Sequence, residues 1–243
     1  MSNIFLVTSA IHGPGGMSGQ LSSDQRIIQT VNTAISIRKH VPDAKIYLLE
    51  GGIMLLNMQI RQMFLMHYDD ILDYSMSEFV QFAHRQRDVN RQEITVIKGP
   101  CESFMLRETC KILTTTAQDR IFKISGRYQL SDEFNLQSHN VPGKYVFKTK
   151  EECLQWYKDK TKLNYSPYQY KTRLYSFCGS IKDMATVNYD KIMNGILDLY
   201  SKNEYLDLEH MTYLTINPSI IHEISPIGLT GSFAEVPNSI IKE

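Results

Sequence analysis

The chain is 243 residues long, and its 26 Lys plus Arg are matched by 26 Asp plus Glu. A net charge of zero excludes a surface that gathers nucleic acid or anionic lipid by bulk charge, and 42% hydrophobic against 21% charged residues is an ordinary globular composition, not that of a disordered chain. Cysteines at 101, 110, 153 and 178 lack the spacing of a zinc knuckle or redox pair, and no apolar run approaches the ~18 residues of a membrane span. The expectation is a cytoplasmic protein with reduced thiols and one α/β domain, residues 1–134 forming one half and 135–243 the other.

Residues 4–11, IFLVTSAI, predict the first strand. The next nine, HGPGGMSGQ, hold four glycines, so they form a loop, either closing over a ligand or lying on the surface. They match neither the GxGxxG spacing of a dinucleotide fold nor the GKS/T ending of a P-loop. Ser22 and Gln25 form a capping box, and Ile27, Ile28, Val31, Ala34 and Ile35 make an apolar helical stripe. Pro42-Asp43-Ala44 turns into a second strand, 45–49, parallel to the first. Glu50 then stands at the carboxyl edge beside Gly51 and Gly52, either as an acceptor for ribose hydroxyls or a base edge, or as a solvated turn residue.

Residues 53–66 predict a helix. Asp69, Asp70 and Asp73 follow as an acidic cluster, read as a solvated turn in preference to a metal site. Residues 77–90 predict an amphipathic helix with a surface His84. Residues 94–97, ITVI, predict a strand stopped by Lys98-Gly99-Pro100. A helix with Met105, Thr109, Ile112, Leu113 and Thr116 on one face comes next, and a further strand, 120–124, runs into SGRY. The core is then a mostly parallel sheet of about four or five strands covered by helices. Two strand ends deliver Lys98, Lys123, Ser125 and Arg127 to one edge, where α/β proteins keep their ligands. Period-two alternation puts Lys123, Ser125 and Arg127 on one face, unless the chain bends at Gly126.

In the second half, residues 144–148 predict a strand and 150–163 a helix holding Trp156 and Tyr157. A tyrosine-rich stretch leads into a strand at 172–177, its rings divided between core and sugar stacking. A helix over 188–201 buries Tyr189, Ile192, Met193, Ile196 and Tyr200. Glu209 and His210 stand side by side near a helix start. A strand ends near Ile224, and GLTG, 228–231, reads as a glycine-bracketed loop.

Gly99, Arg107 within LRET, RIFKI and the block FKISGRYQL, in that order, resemble glycosyltransferases of the GT-A fold, of a small bacterial or viral type. In that family the strand ends in an Asp-x-Asp motif that holds a metal against a nucleotide-sugar diphosphate. Here SGRY stands in its place. The resemblance implies a nucleotide-sugar donor and a glycan or other hydroxyl acceptor. It sets Thr8 and Ala10 beside the base and Glu50 near the ribose. Lys98, Arg107, Lys123, Ser125, Arg127 and His222 then surround the donor. Glu209 is the implied base that deprotonates the acceptor hydroxyl, with Asp207 in reserve. Mn or Mg usually neutralises the diphosphate; here Lys123 and Arg127 are expected to do so, with no metal ligand assigned and Asp132 and Glu133 as the fallback. A non-catalytic nucleotide- or sugar-binding scaffold is the alternative. A nucleotidyltransferase is disfavoured because residues 12–20 carry no Lys or Arg.

Overall fold

The computed structural model describes residues 1–13, 21–90, 94–153, 168–202, 204, 206–232 and 240–243, and of residues 86–90, 94–97, 232 and 240 only the backbone. The first strand, β1 (Asn3–Ser9), is followed by helix α1 (Ser23–His40) and β2 (Lys45–Glu50), which pairs parallel to β1 with Ile4 opposite Lys45. The expected capping box forms, with Ser22 Oγ accepting from Gln25 N and the Gln25 side chain accepting from Ser22 N. Helix α2 (Met58–Leu65) starts later than expected because Asn57 caps it, its side chain accepting from Ile60 N. Strand β3 (Asp70–Asp73) and helix α3 (Glu78–Asn90) complete this part.

The largest correction concerns residues 94–97. They open a single helix, α4 (Ile94–Ile112), that runs through Gly99 and Pro100. Apolar β-branched residues fit a buried helix as well as a strand, and Gly99 is a packing residue here: a Cβ on it would lie 3.2 Å from Ile196 Cδ1 and 3.4 Å from Leu208 Cβ. Met105, Thr109 and Leu113 are buried as expected, whereas Ile112 is exposed and Thr116 lies beyond the helix.

Strand β4 (Arg120–Ser125) then bends at Gly126 into β5 (Tyr128–Leu130), which leaves the main sheet. Strands β6 (Tyr145–Lys148), β7 (Glu151–Glu152), β8 (Tyr168–Gln169) and β9 (Leu174–Cys178) follow. The helix expected over 150–163 gives way to β7 at its start, and the remainder, with Trp156 and Tyr157, lies outside the described residues. Next come α5 (Lys182–Ser201), α6 (Leu208–Thr215), β10 (Ile221–Ile224), β11 (Leu229–Ser232) and β12 (Ile240–Lys242).

The main sheet has seven strands in the order β10-β6-β9-β4-β1-β2-β3, more than the sequence suggested because the second half adds three. Only β9 runs against its neighbours, β4 and β6. One face packs Phe5, Val7, Phe122 and Ile124 under α1 and α2, with Phe5 and Phe122 stacked at 4.4 Å. The other buries Ile4, Leu6, Ile121 and Phe177 with Met105 and Cys110 of α4 and Ala185 and Tyr189 of α5. No described helix is long and apolar enough to cross a membrane.

A smaller sheet, β12-β11-β5, explains two departures from expectation. GLTG is strand and not loop, since Leu229 to Gly231 pair with Leu130 to Tyr128. Gly228 sits at φ +81 where a Cβ would collide with Phe134, and Gly231 has Tyr128 against it. Helix α1 buries Ile27 and Ala34 of the expected stripe and adds hydroxyls beside them: Thr30 and Thr33 donate to the carbonyls of Gly126 and Tyr128, and Ser36 Oγ accepts from Leu130 N. Ile28 and Ile35 are accordingly exposed.

Candidate functional site

The parallel strands β1, β2, β3, β4, β6 and β10 all end at one edge, and antiparallel β9 begins there. Thr8 lies opposite Ser125 in the β1–β4 pairing, and Ser125 N donates to Arg173 O, so the start of β9 closes beside them. Lys123 faces the α4 side two residues before this edge and is fully buried. A lysine there requires acceptors, because an unpaired buried ammonium is very costly. It finds Glu102 Oε1 at 2.6 Å, Thr172 O at 2.6 Å and Ser125 Oγ at 2.8 Å.

Glu102, in α4, is the residue that assembles the site. Its other oxygen lies 3.4 Å from Thr8 Oγ1, and its side chain keeps 21% exposure, so it reaches the rim while its partner does not. Thr172 Oγ1 donates to Glu209 Oε1 at 3.3 Å, bringing the first turn of α6 into the same cluster. Burial, then the nearby carboxylate of Asp207, raises the Glu209 acid above its ordinary value. The result is one continuous run, Thr8, Glu102, Lys123, Thr172 and Glu209, across the ends of β1, β4 and β9.

Cations border it on the β5 side. The guanidinium carbons of Arg127 and Arg173 lie 5.8 and 5.6 Å from the ring centre of Tyr128. Arg173 pairs with the buried carboxylate of Glu243, which also lies 3.7 Å from Lys148 Nζ. Lys148 holds Glu151 at 2.5 Å, with Lys171 at 3.6 Å from the same carboxylate.

On the opposite face of the edge, Glu50 is fully buried. Its Oε1 accepts from Ile11 N at 2.8 Å and Gly52 N at 3.0 Å, so it shapes the two loops after β1 and β2 from beneath. Burial pushes its acid up to about 7. A Cβ on Gly52 would meet Glu50 Oε1 at 2.7 Å, and one on Gly51 would meet Met105 Sδ at 2.7 Å. Ala10 contributes its carbonyl to Arg26 at 3.0 Å. Of the glycine loop, residues 14–20 lie outside the described residues.

Several expected site residues stand elsewhere. Arg107 bonds Glu108 at 2.7 Å and Asp190 at 2.5 Å, tying α4 to α5. Lys98 is an exposed residue within α4 and not a strand end. His222 lies mid-strand and exposed on β10, three strands and roughly 14 Å across the sheet from β4. Asp207 is the N-cap of α6 and accepts from His210 N at 2.9 Å. Lys123 and Arg127 do not share a face, because the chain leaves the sheet between them. In the tyrosine-rich stretch, Tyr170 and Tyr175 stack on Phe147 at 4.8 Å. Of the acidic cluster, Asp69 holds Arg38 and Ile46 N, each at 2.7 Å.

No protein-family model matches the sequence, and no curated protein is significantly similar to it. Solved structures are similar in fold. The mannosyltransferase Ktr4p from Saccharomyces cerevisiae in complex with GDP matches over 94% of this chain and 70% of its own, with a TM-score of 0.54 and 10% identity. Core-mannan synthase A (Ktr4) from Aspergillus fumigatus in a Mn/GDP form matches over 94% and 74%, at 0.53 and 9%. The galactosyltransferase LgtC with donor and acceptor sugar analogues matches over 92% and 73%, at 0.53 and 9%. The chain has the GT-A fold.

Within that fold the end of β4 reads Ser125, Gly126, Arg127, with no carboxylate. Asp132 is exposed and paired with Lys39 at 2.8 Å. Among the described residues no group of three His, Cys, Asp or Glu could hold a metal ion. The residues at this strand end therefore do not fit a divalent cation; they place cations of their own there.

Proposed function

We propose that the protein is a glycosyltransferase that moves a sugar from a nucleotide-diphosphate donor to a hydroxyl of a glycan or another acceptor. The observation that carries this reading is the pairing of a raised carboxylate, Glu209, with a rim of protein cations at the sheet edge of a GT-A fold. Residues 1–134 supply most of the donor side, and 135–243 supply the acceptor side together with Arg173.

In the proposed reaction the bond between the anomeric carbon and the diphosphate oxygen breaks while an acceptor oxygen bonds that carbon. Glu209 accepts the acceptor proton; a carboxylate whose pKa is raised is a stronger base than an ordinary one and takes that proton more readily. The departing diphosphate gains charge, which donors already in place stabilise without reorganising. Arg127 and Arg173, held over Tyr128, are assigned this task, Arg173 once Glu243 yields to the phosphates. Lys123 is a positioning residue: buried under the site, it holds Glu102 and the Thr172 backbone in register. Neither Arg173 nor Glu102 was expected from the sequence.

The test is calorimetric titration with UDP, GDP, CMP and their sugars in EDTA, on the wild type and on Arg127→Ala and Arg173→Ala. Binding of one diphosphate nucleotide, weakened about tenfold or more in each variant, is the expected result. Binding that requires Mn or Mg overturns the cationic diphosphate site, and no nucleotide binding under either condition favours the scaffold reading.

A further inference from the structure

Beside the site, but not part of it, three side chains line up in the order of a nucleophile, a base and an orienting acid. Asp207 Oδ1 lies 2.6 Å from His210 Nδ1, and His210 Nε2 lies 3.1 Å from Cys153 Sγ. Since an ionised carboxylate only accepts, Nδ1 carries the proton, and Nε2 turns its lone pair toward the thiol. His210 is 2% and Cys153 6% exposed; the sulfur packs with Leu199 and Leu206, and Met211 closes over that cluster. Spacing of this kind marks an activated nucleophile in sites built on unrelated folds.

We propose that Cys153 is an activated thiol that reacts with hydroperoxides, and that its oxidation alters the α6 turn carrying Glu209. In the reaction His210 Nε2 takes the thiol proton, and the sulfur electron pair attacks one peroxide oxygen. The S–O bond forms as the O–O bond breaks. Sulfur is oxidised to the sulfenic acid, the peroxide is reduced, and the departing oxygen recovers the proton from His210 to leave as water or an alcohol. The close fit of the thiol admits a water-sized oxidant more readily than a bulky one.

The link to Glu209 is covalent and close. His210 is its neighbour in the first turn of α6, Tyr170 N donates to Glu209 O at 3.3 Å, and β8 before Tyr170 pairs with β7 before Cys153. Among the described residues, an added oxygen on Cys153 presses on His210 or on the Leu199 and Leu206 contacts, and displacing the first moves the turn. The other thiols lack an imidazole. Burial pushes Cys101 and Cys110 up to about 12. Cys178 is the competitor: burial opposes its ionisation, but hydrogen bonding from Ser180 and the charge of Arg120 bring it below the ordinary value.

The test exposes the full chain to hydrogen peroxide for timed intervals, quenches it into denaturant with iodoacetamide, and maps thiol loss at each cysteine by peptide mass. Cys153 is expected to be lost first, about tenfold more slowly in His210→Gln, and hydrogen exchange over 207–213 is expected to rise on oxidation of the wild type but not of Cys153→Ser. Loss led by Cys178, or unchanged protection over 207–213, overturns the proposal. The wild-type map and the exchange comparison decide it even if His210→Gln does not fold, and neither readout depends on glycosyl transfer.

Discussion

Strand β4 carries a buried cation near each end, and the two are held in opposite ways. Arg120, at the amino end, bonds Ser176 Oγ at 2.9 Å and the carbonyls of Val141 and Lys144 at 3.0 and 3.1 Å. All three partners are neutral, and burial lowers the guanidinium to about 10. Lys123, toward the carboxyl end, faces a carboxylate that reaches solvent. The first cation closes a seam between β9 and the loop before β6. The second puts an acidic oxygen at a rim where further polar groups converge. Here the buried charge paired only with neutral groups marks a joint in the fold, and the one paired with a partly exposed carboxylate marks a place where chemistry can be done.

Lys123→Met is the strongest way to break the comparison. It strands Glu102 and should cost about 3–5 kcal/mol of unfolding free energy in urea titrations, with much of the loss restored by adding Glu102→Leu. Glu50 comes next. Its acid rises from 4.5 to about 7 on folding, so the folded state holds the proton more tightly, and stability falls as pH rises through that window and levels off above it. Glu50→Gln should remove up to about 3 kcal/mol of that fall, visible as a thermal gain over wild type that is larger at pH 8 than at pH 5. Glu209→Gln should lower turnover about 100-fold with donor binding retained; equal turnover would move the base elsewhere. Arg120→Met should cost only about 1–3 kcal/mol, the range for acceptors left unpaired, and leave nucleotide binding unchanged. If it equals Lys123→Met, the distinction between the two cations fails.

His139 sharpens the same contrast through pH. It sits by Arg120 with Nδ1 2.8 Å from Ser176 Oγ, and burial, then the Arg120 charge, lowers it from 6.5 to about 3. The folded state resists its protonation, so stability should decline as pH falls below 6.5, opposite in sign to Glu50. His139→Asn should flatten that acid limb in thermal melts at pH 4 to 6.

The alternation of β1, β2 and β4 and the Ser22 capping box were legible because each depends on local pattern. The first strand of the central unit was not. ITVI is mostly β-branched and reads as a strand, and the contacts of Gly99 with α5 and α6 that accompany its helical form lie far away in sequence. That misreading hid Glu102, which on a continuous helix falls three and seven residues before Met105 and Thr109, on the buried face. A carboxylate on an apolar helix stripe and a lysine inside an apolar strand were the two signals for the pair. Arg173 and Glu243 meet only through β12, which no local pattern announces. His222 and Arg107 show the converse: suitable residue types in a suitable order, placed on an outer strand and at a helix seam.

Gly99 also acts as a gauge. Helix α4 carries Glu102 and helix α6 carries Glu209, and the separation of the two carboxyl groups depends on how deeply the helices nest at a position with no side chain. One methyl group there would press on Ile196 Cδ1 at 3.2 Å and Leu208 Cβ at 3.4 Å, and whatever the helices gave would be felt between the acidic groups. In the proposed glycosyl transfer, the room left for an acceptor would thereby be tied to a hydrogen atom remote from it.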